Sequence, residues 1–291
     1  MIQTMANLQY PTSPGPIAVF DSGYGGLTVL KELLKEFPEY DFIYLGDNAR
    51  APYGDRSFDV VYKYTLEAVK FLFQKGAHLV ILACNTASAK ALRTIQQNDL
   101  PKIDPNRRVL GVIRPSVEAV AEITKSKNVG VLGTEGTVAS QSYPLEIEKS
   151  DKNISVFQEA CPLWVPIVEN NEIETPGSKY FIEKNINNLL SKSDEIDTII
   201  LGCTHYPLLL PLIKEYVPQN IQIISQGQIV AQSLKDYLNR HPEIDEKIVK
   251  QGRREYFTTE LSEKFDSSAS IFLEKSIKSR TVYFNHLNQL A

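Results

Sequence analysis

Two short stretches constrain this chain more than anything else in it: Val80-Ile81-Leu82-Ala83-Cys84-Asn85-Thr86-Ala87-Ser88 and Ile199-Ile200-Leu201-Gly202-Cys203-Thr204-His205-Tyr206-Pro207. Each is an apolar run, a small residue, a cysteine, and then hydroxyl and amide or imidazole side chains. An apolar run of that length reads as a buried strand, and the polar residues after it as the turn into a helix. Cys84 and Cys203 therefore belong at the carboxyl ends of two strands, where open α/β sheets bind ligands. At such a turn, backbone N–H groups and the positive helix end are expected to lower a thiol pKa from about 8.5. Either cysteine alone reads as a core residue. Two in matched contexts point to a paired thiol site.

The rest of the chain repeats the same alternation. Ile17 to Phe20 reads as a strand, Asp21-Ser22-Gly23-Tyr24-Gly25-Gly26 as the loop after it, and Leu27 to Phe37 as a helix stopped by Pro38. Phe42 to Gly46 is a second strand, followed by a loop with the turn Pro52-Tyr53-Gly54. Phe58 to Lys75 carries one apolar helical stripe and ends at Gly76. After the Cys84 strand a helix is expected to about Gln97, then a polar, Pro-flanked linker to Arg108 that marks a boundary. The pattern then restarts, with strands at Val109 to Ile113 and Val129 to Leu132 and the loop Gly133-Thr134-Glu135-Gly136-Thr137-Val138, which is similar to the Asp21 loop. In both halves a Gly-rich, hydroxyl-bearing loop precedes a Cys-ended strand by a comparable length of chain. This is an internal repeat of two α/β units with parallel sheets.

The expected organisation is a flexible extension at residues 1–15, a first α/β domain made of 16–107 and 219–291, and a second of 108–218. The extension holds Pro11 and Pro14 and shows no periodicity, so it is expected to be dispensable. Beyond Pro218 strands are expected at Ile221 to Ser225, Glu255 to Thr259 and Val282 to Phe284, and the internal repeat returns this tail to the first domain, which makes that domain discontinuous.

Composition excludes several classes. A net charge of -4 gives no electrostatic basis for binding nucleic acid or a membrane surface. The apolar runs are far too short for a membrane span, and the first residues lack the basic start and apolar core of a signal peptide. Three cysteines suit a reducing compartment better than a disulfide framework, so a cytoplasmic location is expected.

Among the motifs, the Gly23-Tyr24-Gly25-Gly26 loop fails the dinucleotide fingerprint because Thr28 stands where the third glycine belongs. It remains a loop whose N–H groups suit a carboxylate. A zinc site from Cys161, Cys203 and His205 lacks any second ligand pair, so no metal is expected. Cys161 is read as structural, and His78, His241 and His286 are given no role. A thiol hydrolase would pair one cysteine with His205 and has no use for the second. Two matched thiols suit one base and one acid on opposite faces of a carbon centre.

The motifs Asp21-Ser22-Gly23-x-Gly25-Gly26, Pro52-Tyr53-Gly54, Ala83-Cys84-Asn85-Thr86-Ala87-Ser88, Gly133-Thr134 and Gly202-Cys203-Thr204-His205-Tyr206-Pro207, in this order, resemble those of the glutamate racemases, over nearly all of the chain after the extension. The resemblance implies two similar parallel-sheet α/β domains related by pseudo-symmetry, with the active site at their interface. It implies a cofactor-independent enzyme that makes D-glutamate for peptidoglycan, working as a homodimer on a small-molecule substrate. Cys84 and Cys203 would be the acid/base pair, with Asp21, Glu169 and His205 as polar partners. Asp21, Ser22, Tyr53, Gly54, Asn85, Thr86, Thr134, Thr137, Thr204 and His205 would contact the amino acid. Asn85, Thr86, Thr204 and Ser22 suit a carboxylate, and Asp21 an ammonium. His205 favours glutamate over aspartate, since aspartate racemases tend to carry Glu after the second Cys-Thr pair. The chain departs from the resemblance at Ile113-Arg114-Pro115-Ser116, where relatives commonly read Ile-(Glu or Lys)-Pro-Gly, a change expected to touch regulation rather than chemistry.

Overall fold

The structure is a computed structural model and describes residues 10–284. His286, which was given no role, lies outside the described residues. The strands are β1 (Ile17–Asp21), β2 (Phe42–Gly46), β3 (Leu79–Leu82), β4 (Arg108–Gly111), β5 (Asn128–Gly133), β6 (Ser155–Ala160), β7 (Thr198–Gly202), β8 (Gln222–Ile224), β9 (Arg254–Thr258) and β10 (Ser279–Thr281). They form two sheets, ordered β10-β9-β2-β1-β3-β4 and β6-β5-β7-β8, and every pairing is parallel. β1, β2, β3 and β7 are buried along their whole length, which is why each reads as a continuous apolar run rather than an alternating one.

The internal repeat is visible in the strand order. β2-β1-β3-β4 and β6-β5-β7-β8 have the same succession, with Asp21 paired to Gly46 at the end of β1 and Gly133 to Ala160 at the end of β5. This corrects the expected boundaries at 107/108 and 218/219, each by one strand. β4 was expected to open the second domain, yet it pairs with β3 and closes the first sheet; β8 was expected in the returning tail, yet it pairs with β7. Each unit needs a fourth strand to satisfy the far edge of its Cys-ended strand. The supposed linker at 97–108 is largely helical, through a π-turn at Ile95–Asp99 and the segment Leu100–Ile103. β9 and β10 extend the first sheet beyond β2, so that sheet takes strands from both ends of the chain.

The extension also needs correction. Residues 10–15 pack on the first unit, while 1–9 lie outside the described residues. The Tyr10 ring meets Phe73 edge-on at 5.8 Å, and Ser13 O lies 2.8 Å from His78 Nε2. Arg107, which is fully buried, donates to Pro11 O as well as to Ala77 O. Gly15 bridges to Ile248, with Gly15 N donating to Lys247 O at 2.9 Å. A buried guanidinium needs acceptors, and an extended Pro-rich segment supplies them from its backbone without any side-chain periodicity.

Candidate active site

The carboxyl ends of β1, β3, β5 and β7 converge on one cavity of about 260 Å³. Both cysteines line it, and each is 6% exposed. Ser22, Tyr53, Gly54, Asn85, Thr86 and Thr134 also line it, as do Thr204, His205 and Glu169. Asp21 and Thr137 do not: both are fully buried behind the lining.

Cys84 is the N-cap of the Asn85–Lys90 helix, with extended φ/ψ, and its Sγ accepts from Ala87 N at 3.4 Å. Ser22 Oγ lies 3.5 Å from the same sulphur. Burial nevertheless dominates. It pushes the Cys84 thiol up to about 12, aided by the negative Asp21 and opposed by the Ser22 and Ala87 contacts. The expected lowering by the helix end is thus reversed here, because desolvation of a thiolate outweighs one weak N–H contact from a short helix.

Cys203 follows β7 and is itself followed by a turn into the 3₁₀ segment Tyr206–Leu209. Its Sγ lies 3.9 Å from His205 Nδ1, and His205 Nε2 lies 2.9 Å from Glu169 Oε1. Burial disfavours the imidazolium, but the Cys203 and Glu169 contacts outweigh it and raise His205 to about 10. The Cys203 sulphur and the Glu169 carboxylate both favour the protonated imidazole.

Asp21 works behind the lining. Its Oδ1 accepts from Gly23 N at 2.9 Å and its Oδ2 from Thr204 Oγ1 at 3.2 Å. Burial raises its pKa, with His205 and these hydrogen bonds pulling the other way. Gly25 is required here: a Cβ on it would lie 2.3 Å from Thr204 Oγ1 and 2.4 Å from His205 Nδ1. Thr86 Oγ1 lies 2.9 Å from Thr134 Oγ1, which is 3.1 Å from Thr137 Oγ1, so the hydroxyls of the two units meet across the cavity wall. Tyr53 is held from behind, its hydroxyl donating to the buried Asp47. Cys161 is buried away from the cavity, its carbonyl accepting from Tyr206 OH at 3.1 Å.

Sequence reading missed Asp47, Tyr143 and Gln226. Asp47 follows β2 and Gln226 follows β8, so the strand-end logic that found the cysteines would have reached both. Tyr143 carries no such signal. The Arg114 and Ser116 departures separate in space: Arg114 is exposed and pairs with Glu118, whereas the Ser116 hydroxyl is buried and accepts from Gln226.

Two parallel-sheet units of the same strand order each contribute one strand-end thiol to a shared cavity. Residues 27–234 match the family described as Asp/Glu/Hydantoin racemase, and the chain belongs to that family. It is 36% identical over 277 residues to the glutamate racemase of Sulfurihydrogenibium sp., covering 94% of this chain and 100% of that one. It is 39% identical over 261 residues to the glutamate racemase of Listeria monocytogenes, covering 88% and 93%. Among solved structures, glutamate racemase isoform RacE1 from Bacillus anthracis superimposes with a TM-score of 0.85 at 34% identity, covering 93% of this chain and 98% of that one.

Proposed function

We propose that this chain interconverts L- and D-glutamate without a cofactor, Cys84 and Cys203 alternating as base and acid on opposite faces of the α-carbon. The observation that carries this reading is that the two thiols occupy equivalent strand ends of the two units and line one cavity. An α-proton beside a carboxylate is a very weak acid. Its removal needs a base in a water-poor site and donors aimed at the charge that develops on the carboxylate. One sulphur takes the proton, the electron pair of the C–H bond moves into the carboxylate, and the opposite thiol delivers a proton to the other face. Cys84 rests as the thiol, the form needed for delivery. The His205 imidazolium stands where a sulphur anion on Cys203 is most in need of a counter-charge, and Glu169 keeps it there.

Thr86, Thr134 and Asn85 offer donors to the substrate carboxylates, with Ser22 beside the Cys84 sulphur. Asp21 acts through Thr204 and the Gly23 N–H. The product would be D-glutamate for peptidoglycan, made in the cytoplasm. No helix among the described residues is long and apolar enough to cross a membrane, and the three thiols are free. A homodimer is the assembly that the family resemblance implies.

The test is proton exchange. In D₂O, product glutamate should carry solvent deuterium from the first turnovers while unreacted substrate keeps its α-hydrogen. Cys84→Ser and Cys203→Ser should each abolish racemisation, a hydroxyl being a far weaker acid than a thiol. Aspartate should show a far lower kcat/KM than glutamate. Near wild-type racemisation in either Ser variant would refute the two-thiol roles, and dependence on one cysteine alone would favour a thiol hydrolase.

A further inference from the structure

At the cavity wall and behind it, four polar side chains from distant parts of the chain are gathered almost out of reach of bulk water. Asn85, next to Cys84, is 2% exposed; Gln226, in the first turn of the Gln226–Arg240 helix, is 3%; Tyr143 and Ser116 are fully buried. Asn85 Nδ2 donates to Gln226 Oε1 at 2.5 Å, and Tyr143 OH donates to Asn85 Oδ1 at 2.8 Å. Gln226 Nε2 has four acceptors within reach: Ser116 Oγ at 2.8 Å, Tyr143 OH at 2.9 Å, Asn85 Oδ1 at 3.2 Å and Val112 O at 3.3 Å. It has two protons, so the two short contacts take them and the longer two are only the weak branches of shared hydrogen bonds.

This arrangement fixes which way round the Asn85 amide lies. Its oxygen already accepts from Tyr143, and one of its N–H groups is committed to Gln226 Oε1. Turning the amide over would set its NH₂ against the Gln226 NH₂ and leave the Gln226 carbonyl facing an oxygen, with two buried groups unpaired. What Asn85 has left for the cavity is therefore a donor. An unanchored asparagine could equally present its carbonyl, which repels a carboxylate.

We propose that Gln226, with Tyr143, is a positioning residue for the reaction. It locks the Asn85 amide in its donating orientation toward the substrate carboxylate. In doing so it ties the helix that Cys84 caps, in one unit, to the Ile113–Ile123 and Ser142–Ser150 helices of the other. This rests on the reading of the cavity as a glutamate racemase site.

The experiment is a double-mutant cycle in glutamate racemisation: Gln226→Met, Asn85→Ala and both together, with Tyr143→Phe run the same way. Gln226→Met should lower kcat/KM by about tenfold, below the loss of about a hundredfold or more seen when an oxyanion donor is removed outright. In the Asn85→Ala background it should lower it less than twofold further, because the residue it positions is gone. Tyr143→Phe, which keeps the ring and deletes one hydroxyl, should cost about threefold alone and nothing with Asn85→Ala; it carries the test should Gln226→Met fail to fold. Should Asn85→Ala be inactive, the same cycle is read in the Kd for D-glutamate. Additive losses, or no loss in the single variants, would overturn the proposal, since a merely structural residue destabilises regardless of what Asn85 is. Absence of glutamate racemisation in the unmutated protein would instead sink the functional reading beneath it.

Discussion

His205 gives a prediction that can be worked in both sign and size. In the folded protein its two ring nitrogens face the Cys203 sulphur at 3.9 Å and Glu169 Oε1 at 2.9 Å, and these partners outweigh burial to raise it from 6.5 to about 10. In the unfolded chain both partners are gone and the imidazole titrates near its ordinary value of about 6.5. A group whose pKa is raised by folding contributes stability that is complete below the unfolded pKa and is lost as pH climbs to the folded pKa. Between pH 6.5 and about 10 His205 itself holds a proton in the native state that it lacks in the unfolded one, so wherever Cys203 also keeps its proton this residue makes unfolding free energy fall by about 1.4 kcal/mol per pH unit. The slope depends only on the pKa lying above the window.

Replacing His205 by Asn removes that term. Urea midpoints and m-values collected from pH 7 to 8.5 should show the unmutated protein losing about 2 kcal/mol more than His205→Asn across the range. Groups remote from the ring titrate alike in both proteins and cancel in the difference, and a thiolate titration by ultraviolet absorbance corrects for Cys203, which lies 3.9 Å from the ring. Glu169→Gln, which removes one of the two partners, should shift the end of the window to lower pH. The direct measurement is an imidazole NMR titration: the chain has four histidines, so His205→Asn assigns the resonance. A His205 that titrates at or below 6.5, or parallel stability curves for the two proteins, would refute the reasoning.

Two further outcomes follow from the packing. Relative to a chain lacking residues 1–9, one lacking residues 1–15 should have lost several kcal/mol in unfolding free energy by urea titration: the further deletion strips Arg107 and His78 of backbone acceptors, at about 1–3 kcal/mol for each buried group left unpaired. Gly25→Ala should leave a folded protein, because Gly25 has φ -56, but should lower kcat by about a hundredfold. Its Cβ needs the space of Thr204 Oγ1 and His205 Nδ1, and circular dichroism with steady-state kinetics separates the two effects.

What the sequence made legible is what apolar runs encode. β1, β3 and β7 are buried throughout, so their ends, and with them Asp21, Cys84 and Cys203, could be placed from residue type alone. β4 and β8 are short, partly exposed edge strands of four and three residues; the sheet each joins is settled by pairing, which leaves little mark on composition. The Tyr10–Gly15 segment packs through backbone carbonyls and one ring, and so has no period to detect. The direction of the Cys84 shift was misjudged because a strand-end motif shows the N–H groups nearby but not the depth of burial or the Asp21 carboxylate brought alongside. Gln226 and Tyr143 were invisible for a related reason: their meaning lies in a contact with Asn85, and single residues do not announce such partners.

The two units share a strand order but not an electrostatic environment, and the difference comes down to a few positions. Two residues beyond Cys84 stands Thr86, which meets the neutral hydroxyl of Thr134; two residues beyond Cys203 stands His205, an imidazolium. At the end of β1 stands Asp21, whose charge adds to the raised Cys84 pKa; at the equivalent end of β5 stands Gly133. One thiol is thus kept as an acid while the other has a cation beside it, an arrangement poised for one direction of proton transfer. The enantiomers of glutamate have equal free energy, however, so the equilibrium constant is one and kcat/KM must be identical in both directions whatever the protein does. The asymmetry can therefore appear only in kcat and KM taken separately. Replacing His205 by Asn should lower kcat/KM equally for L- and D-glutamate, yet lower kcat more for the enantiomer whose α-proton Cys203 removes, with KM shifting to compensate.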